Sequence, residues 1–245
     1  MIISKQNSLI KEARSLKNKK FRDTLNRYVV EGVKMVNEAF KFNQKVLYVI
    51  STESCLTKLN VGGFPVELCS EEVYASITDE KNPQGVLAVI EKPTSLKLPP
   101  NDQSALLLDG VSDPGNLGTI IRTMVGAGYK NLFLTGDCAD VFSPKVVRSS
   151  MSGIYHVNIF YLEREQAREQ ISLPIIIADM RGEDVFKLTP PKNFCLVIGN
   201  EAHGVSNEIR EIADLCVKIP MKQEMESLNA GISAGILMYT LKNRI

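Results

Sequence analysis

The chain of 245 residues has two histidines, His156 and His203, and five cysteines, Cys55, Cys69, Cys138, Cys195 and Cys216, none of them in a C-x-x-C pair. So few imidazoles and such scattered thiols do not supply the tetrahedral ligand set of a zinc centre, so no metal is expected. An odd, dispersed set of cysteines fits reduced thiols rather than a disulfide framework. No apolar run approaches the ~18 residues of a membrane helix. The opening stretch, MIISKQNSLIKEARSLKNKK, lacks the apolar core and small-residue cleavage site of a signal peptide. Internal repeats and low-complexity tracts are also missing. These absences lead to the expectation of a cytoplasmic protein with no membrane partner.

What is present describes a soluble globular chain, with 44% hydrophobic and 23% charged residues. The net charge of +1 hides an asymmetry: residues 1–34 carry a local +6, and the remaining residues sum to −5. Lys17, Lys19, Lys20 and Arg22 lie in this basic stretch. Such a face suits a polyanion partner, and equally a solvated helix surface.

Periodicity predicts a helix over 5–20, strands at 28–32, 45–51, 65–70 and 85–91, and helices at 33–40 and 70–78. Strands alternating with helices make a small α/β domain over 1–95. The Pro-rich polar stretch at 96–103 is the expected linker. A second domain, 104–245, resumes the alternation, with strands at 104–109, 131–135, 156–160, 174–178, 194–199 and 215–219. Helices are expected near 116–127, 143–151, 163–170, 205–213 and 227–242. Continuous apolar runs such as LPIIIA and FCLVIG suit a mostly parallel sheet buried on both faces.

Three turns in this second domain combine backbone freedom with polar groups. In DPGNLGTIIR, Asn116 can cap a helix, and Arg122 is the only charged residue between Asp113 and Lys130. The Arg122 stem can carry its guanidinium back ~5–7 Å toward the helix N-terminus, where it would face an anion or a developing alkoxide. The alternative is an arginine paired with a buried acid to lock the fold. In LVIGNEAHG, a buried strand ends at Gly199 and is followed by Asn200 and Glu201. Ligands of open α/β sheets bind at such strand ends, although the G-x-G-x-x-G spacing of a dinucleotide site is absent. In IPMKQEMESLNAGISAG, Ser227 is a candidate cap for a helix start with almost no side-chain bulk. Each glycine there weakens the helix by roughly 1 kcal/mol relative to Ala, so close packing, or a ligand, should compensate.

In this order, the segments NLGTIIR, IGNEAHG and IPM…SLNAGISAG resemble the three motifs of the SpoU (TrmH-type) RNA ribose methyltransferases of the SPOUT superfamily. The front portion, from SKQN through NPQGVLAVIE, is similar to that family's ribosomal-protein-like RNA-binding domain. The resemblance implies a SPOUT α/β catalytic domain with a deep trefoil knot, acting as a homodimer. It also implies S-adenosylmethionine as methyl donor and a ribose 2′-hydroxyl of RNA as acceptor, with 23S ribosomal RNA expected. Transfer RNA, or a catalytically silent RNA-binding assembly factor, is the alternative. Carried over by position, the catalytic residues would be Asn116, Arg122, Glu201 and Asn229, with Glu201 orienting the Arg122 guanidinium. Cofactor contacts would fall at Gly199, Ile219, Met221 and Leu228, and more weakly at Thr135. Lys17, Lys19, Lys20 and Arg22 would contact RNA. Where many relatives read S-L-N-V-S, this chain reads Ser227-Leu228-Asn229-Ala230-Gly231, which keeps the Asn but loosens the helix start.

Overall fold

The computed structural model describes residues 1–93, 98–99, 102–222, 224 and 227–242, and it divides into two compact units. Part of the expected linker 96–103, and the last residues of the expected second domain, lie outside the described residues.

The first unit opens with α1 (Ser8–Ser15) and α2 (Lys19–Leu25) rather than one helix over 5–20. Asn7 and Asn18 each accept a backbone N–H with the side chain, so the second asparagine starts a new helix where periodicity alone would continue the first. β1 (Arg27–Glu31), α3 (Val33–Lys41), β2 (Val46–Ser51), α4 (Glu53–Leu56), β3 (Val66–Leu68), α5 (Glu71–Ala75) and β4 (Val86–Glu91) follow. The strands form a sheet of order β1-β4-β2-β3, in which β4 runs antiparallel to both β1 and β2. Ile10, Ala13 and Leu16 of the first helical segment pack with Ile50, Val73, Leu87 and Val89 to make its core.

The second unit begins with β5 (Ala105–Asp109), α6 (Pro114–Gly126) and β6 (Asn131–Thr135). α7 (Pro144–Ser150) follows, and residues 140–155 group with the first unit, not with the sheet on either side of them in sequence. Beside ring and backbone contacts such as Tyr28–Phe142 and Tyr155 to the Met35 carbonyl, an ion pair that periodicity cannot reveal ties the segment there. Arg22, 3% exposed, donates through Nε and Nη2 to Asp140 and through Nη1 to the carbonyls of Leu16 and Lys17. Arg22 is therefore a structural tie and not an RNA contact. Its whole guanidinium is occupied within the protein.

The chain then adds β7 (Asn158–Leu162), α8 (Ala167–Gln170), β8 (Ile175–Asp184), β9 (Cys195–Gly199), α9 (Asn207–Glu211), β10 (Leu215–Lys218) and α10 (Ala230–Lys242). All six strands are parallel, in the order β10-β8-β9-β5-β6-β7. Every residue of β5 and β6 is buried, as their unbroken apolar runs require. The chain winds outward from β5 through β6 and β7, then returns to build the other half, so the direction reverses between β5 and β9. Their ends pair at Asp109 and Gly199. α6 and α10 pack along small residues: a Cβ on Gly231 would lie 3.2 Å from Thr119, and one on Gly235 3.4 Å from Thr123. Tight helix packing is thus one compensation for the glycine-rich helix start.

Replacing Arg22 by Ala leaves Asp140, whose side chain is 12% exposed, without its partner and should cost about 3 kcal/mol. Lys19→Ala, which removes an exposed pair with Asp23, should cost under ~0.5 kcal/mol. Urea unfolding of the two variants checks the contrast.

Candidate active site

Strand reversal leaves a crevice beyond the carboxyl ends of the strands, the usual ligand position of an open α/β sheet. Here the turns after β5 and β9 are tied together. Asp109 at the end of β5 is 1% exposed and accepts from Arg164 Nε at 2.6 Å and from the Ser206 N–H at 2.7 Å. Asn200 Nδ2 donates to the Gly110 carbonyl at 2.7 Å. Gly199 is needed for sterics, since a Cβ there would lie 2.3 Å from the backbone of Gly204 and Val205.

Across this frame runs a chain of hydrogen bonds linking all three turns. Asn116 Nδ2 donates to Glu201 Oε1 at 2.8 Å, and Asn229 Nδ2 donates to Asn116 Oδ1 at 2.8 Å. The Ser112 N–H reaches Glu201 Oε2 at 3.4 Å. Burial pushes the Glu201 carboxyl up, but hydrogen bonds from Asn116 and from the backbone of residues 112 and 113 outweigh it and hold it below its ordinary value. Asn116 lies in the first turn of α6 and residues 112 and 113 just before it, so the anion sits near the helix start, where the helix dipole stabilises it as well.

The helix caps differ from expectation. α6 is capped by Asp113, whose carboxylate accepts from the Asn116 N–H, and Pro114 takes the first helical position. Asn116 sits one turn inside, and its amide is left for Glu201 and Asn229. α10 is capped by Asn229, whose Oδ1 accepts from the N–H groups of Gly231 and Ile232, and not by Ser227.

Arg122 is exposed and, among the described residues, makes no hydrogen bond or ion pair. That disposes of the lock to a buried acid. It also corrects the expected Glu201–Arg122 contact: Glu201 is engaged with Asn116 and the Ser112 N–H instead.

Beside the relay, a cavity of about 210 Å3 lies against the middle of β8 and the end of β10. Ile219, Met221 and Leu228, three of the expected cofactor contacts, line it, with Val217 and Leu237. Gly199 and Thr135 do not. Gly199 acts one step back, by letting Gly204 approach and join the wall. Thr135 Oγ1 accepts from the Gly110 N–H at 2.9 Å and donates to Asp137 at 2.6 Å, so its hydroxyl is engaged in the loop frame.

Sequence reasoning missed Asp179 and Met180, which line the same cavity, and the buried Asp109. Asp179 is bound by Arg181 and Arg210, and these contacts hold its carboxyl far below the ordinary range despite burial. A signal was available: both aspartates end unbroken apolar runs, LLLD and PIIIAD, in a sheet whose strands deliver side chains to a ligand.

With the geometry established, comparison with known proteins is decisive. The sequence pattern of the SpoU rRNA Methylase family matches residues 103–239, and an MRM3-like substrate binding domain matches residues 7–88. The chain belongs to the SpoU rRNA methylase family. Its relatives include the 23S rRNA (guanosine(2553)-2′-O)-methyltransferase RlmP of Bacillus subtilis, 30% identical over 98% of both chains. Human mitochondrial rRNA methyltransferase 3 is 30% identical, over 94% of this chain and 70% of its own length. The crystal structure of an AdoMet-bound rRNA methyltransferase from Sinorhizobium meliloti superposes with a TM-score of 0.88 at 29% identity, covering 99% of this chain and 97% of that one. As a SpoU methylase the chain is an S-adenosylmethionine-dependent RNA ribose methyltransferase. The apolar walls of the cavity fit the flat base of that cofactor, with a few polar groups at its edge.

Because Glu201 is held below its ordinary pKa in the folded protein, it contributes stability above the usual carboxylate range. That contribution disappears as pH falls through the depressed value. Glu201→Gln should therefore flatten the acid limb of a stability-versus-pH profile below that range and leave the slope near neutrality unchanged, as thermal melts across pH will show.

Proposed function

We propose that this SpoU methylase methylates a ribose 2′-hydroxyl of 23S ribosomal RNA, working as a homodimer. The observation that carries the reading is the Glu201–Asn116–Asn229 relay next to an apolar cavity, with Arg122 on the helix that bears Asn116 and unpaired among the described residues. Relatives matching nearly the whole chain bear ribosomal RNA names, which favours ribosomal over transfer RNA. An intact relay argues for an active enzyme over a silent assembly factor.

S-adenosylmethionine, when bound, supplies a methyl group on a sulfonium whose departing thioether is neutral. The harder task, left to the chain's own residues, is to align a poorly nucleophilic hydroxyl and manage its proton. Ile219, Met221 and Leu228 would hold the cofactor, with Gly204, Asp179 and Met180 completing the wall. Arg122 serves as the electrostatic group. A guanidinium scarcely deprotonates, so its role is to stabilise negative charge developing on the acceptor oxygen, together with a phosphate contact. Glu201 fixes the Asn116 amide and, through it, Asn229, which makes the asparagines positioning residues for the acceptor ribose.

Homodimer formation is supported by the exposed apolar side chains of α10, Ile232 at 56% and Tyr239 at 47%, and by an arginine with no partner in its own chain among the described residues. In the first unit, Lys20 is exposed and Lys19 pairs only with Asp23, so both remain candidates for phosphate contact. Lys17 is committed more firmly, to Asp79 at 2.7 Å and to the Thr78 carbonyl.

Arg122→Lys retains charge but loses the planar fork, so turnover on 23S ribosomal RNA should fall about 100-fold with cofactor affinity within about twofold. Single-turnover methylation and calorimetric titration with S-adenosylmethionine measure the two. Turnover near that of the unmodified protein would remove Arg122 from the chemistry.

A further inference from the structure

The first unit holds a second cavity, of about 230 Å3, where β1 passes into α3. Three features set it apart. Glu31, at the end of β1, lines it with only half of its carboxylate engaged: Oε1 accepts from the Tyr74 and Thr78 hydroxyls, and Oε2 has no hydrogen bond among the described residues. Gln84, on the opposite loop, gives its Oε1 to the Val33 N–H at 2.8 Å, which leaves its Nε2 to donate. Met151, which walls the cavity with Met35, has φ of 52°; the other non-glycine residues with positive φ among those described are both asparagines. A methionine held there carries the steric cost of its Cβ without the local side-chain hydrogen bonds that let asparagine adopt this conformation, and such strain tends to persist at sites of function.

Two cations complete the lining. Lys34 is 65% exposed, and Arg148 pairs with Glu80 at 2.8 Å. The volume falls below the ~300–1,000 Å3 of pockets for drug-sized ligands and suits one small planar group. Thioether walls make a surface on which an aromatic ring packs well.

We propose that this cavity receives one unpaired guanine of the RNA substrate, so that the first unit reads a base as well as contacting phosphates. This rests on the RNA methyltransferase reading above. A carboxylate oxygen with a free lone pair calls for adjacent N–H donors, and guanine is the base that presents two, N1–H and the N2 amino group, side by side on its Watson–Crick edge. Gln84 Nε2 meets the neighbouring O6. Lys34 and Arg148 stand where flanking phosphates need countercharge. Proteins that recognise RNA by sequence read unpaired bases on this edge.

The test is a kethoxal footprint of the full chain on a 23S ribosomal RNA transcript, since kethoxal modifies N1 and N2 of unpaired guanines. The unmodified protein should protect at least one such guanine. Glu31→Gln should lose that protection and bind the transcript about tenfold more weakly, in keeping with the loss of one bidentate base contact, with S-adenosylmethionine affinity unchanged. Met151→Gly, which relieves the strained φ and removes one wall, should also weaken RNA binding while leaving the melting temperature equal or higher. It carries the test if Glu31→Gln does not fold. No guanine protected by the unmodified protein, or protection and affinity unchanged in both variants, overturns the proposal. A normal footprint without methyl transfer would instead count against the methyltransferase reading alone.

Discussion

The site depends on one side chain, Asn116, held by hydrogen bonds between Glu201 and Asn229. A primary amide has a donor end and an acceptor end, so a carboxylate on one side and an amide N–H on the other leave it a single orientation. The two segments it joins to its own lie 85 and 113 residues away in sequence. In the folded chain it is the parallel sheet that carries these distant segments to one edge. The sheet therefore acts as a jig that brings the relay together.

Each of the other features of the second unit serves that closure. Asp109 and Thr135 fix the turn after β5, through Ser206, Arg164 and Gly110. Gly199 admits the 204–205 backbone at a distance no other residue allows. Gly231 and Gly235, set against Thr119 and Thr123, let α10 lie close to α6, which brings Asn229, the cap of α10, to Asn116 near the start of α6. The same small residues that weaken α10 as an isolated helix permit this approach, so local propensity is traded for tertiary geometry.

Much of this was legible in the sequence. Buried parallel strands read as unbroken apolar runs, and β5, β6 and β9 fall within a residue of expectation. The order of three glycine-marked turns pointed to the family before any geometry was known. Side-chain commitments were the part that could not be read. Arg22 looks like one more cation in a basic stretch until Asp140, 118 residues away, is folded against it. Asp113 and Asn116 are both good caps by composition, and only backbone geometry decides that the first one is used. The break after α1 was missed because Asn18 interrupts an apolar spacing that otherwise continues. Glu201 was assigned to Arg122 because opposite charges attract, whereas helix N–H groups and an amide were closer.

A double-mutant cycle on Asn116→Ala and Asn229→Ala, read as kcat/KM for ribose methylation of 23S ribosomal RNA, tests the relay most directly. If the two amides act as one unit, the double variant will be hardly worse than the poorer single one, a coupling of at least about 1 kcal/mol. Losses that simply multiply would show that the two residues act independently and would contradict the account.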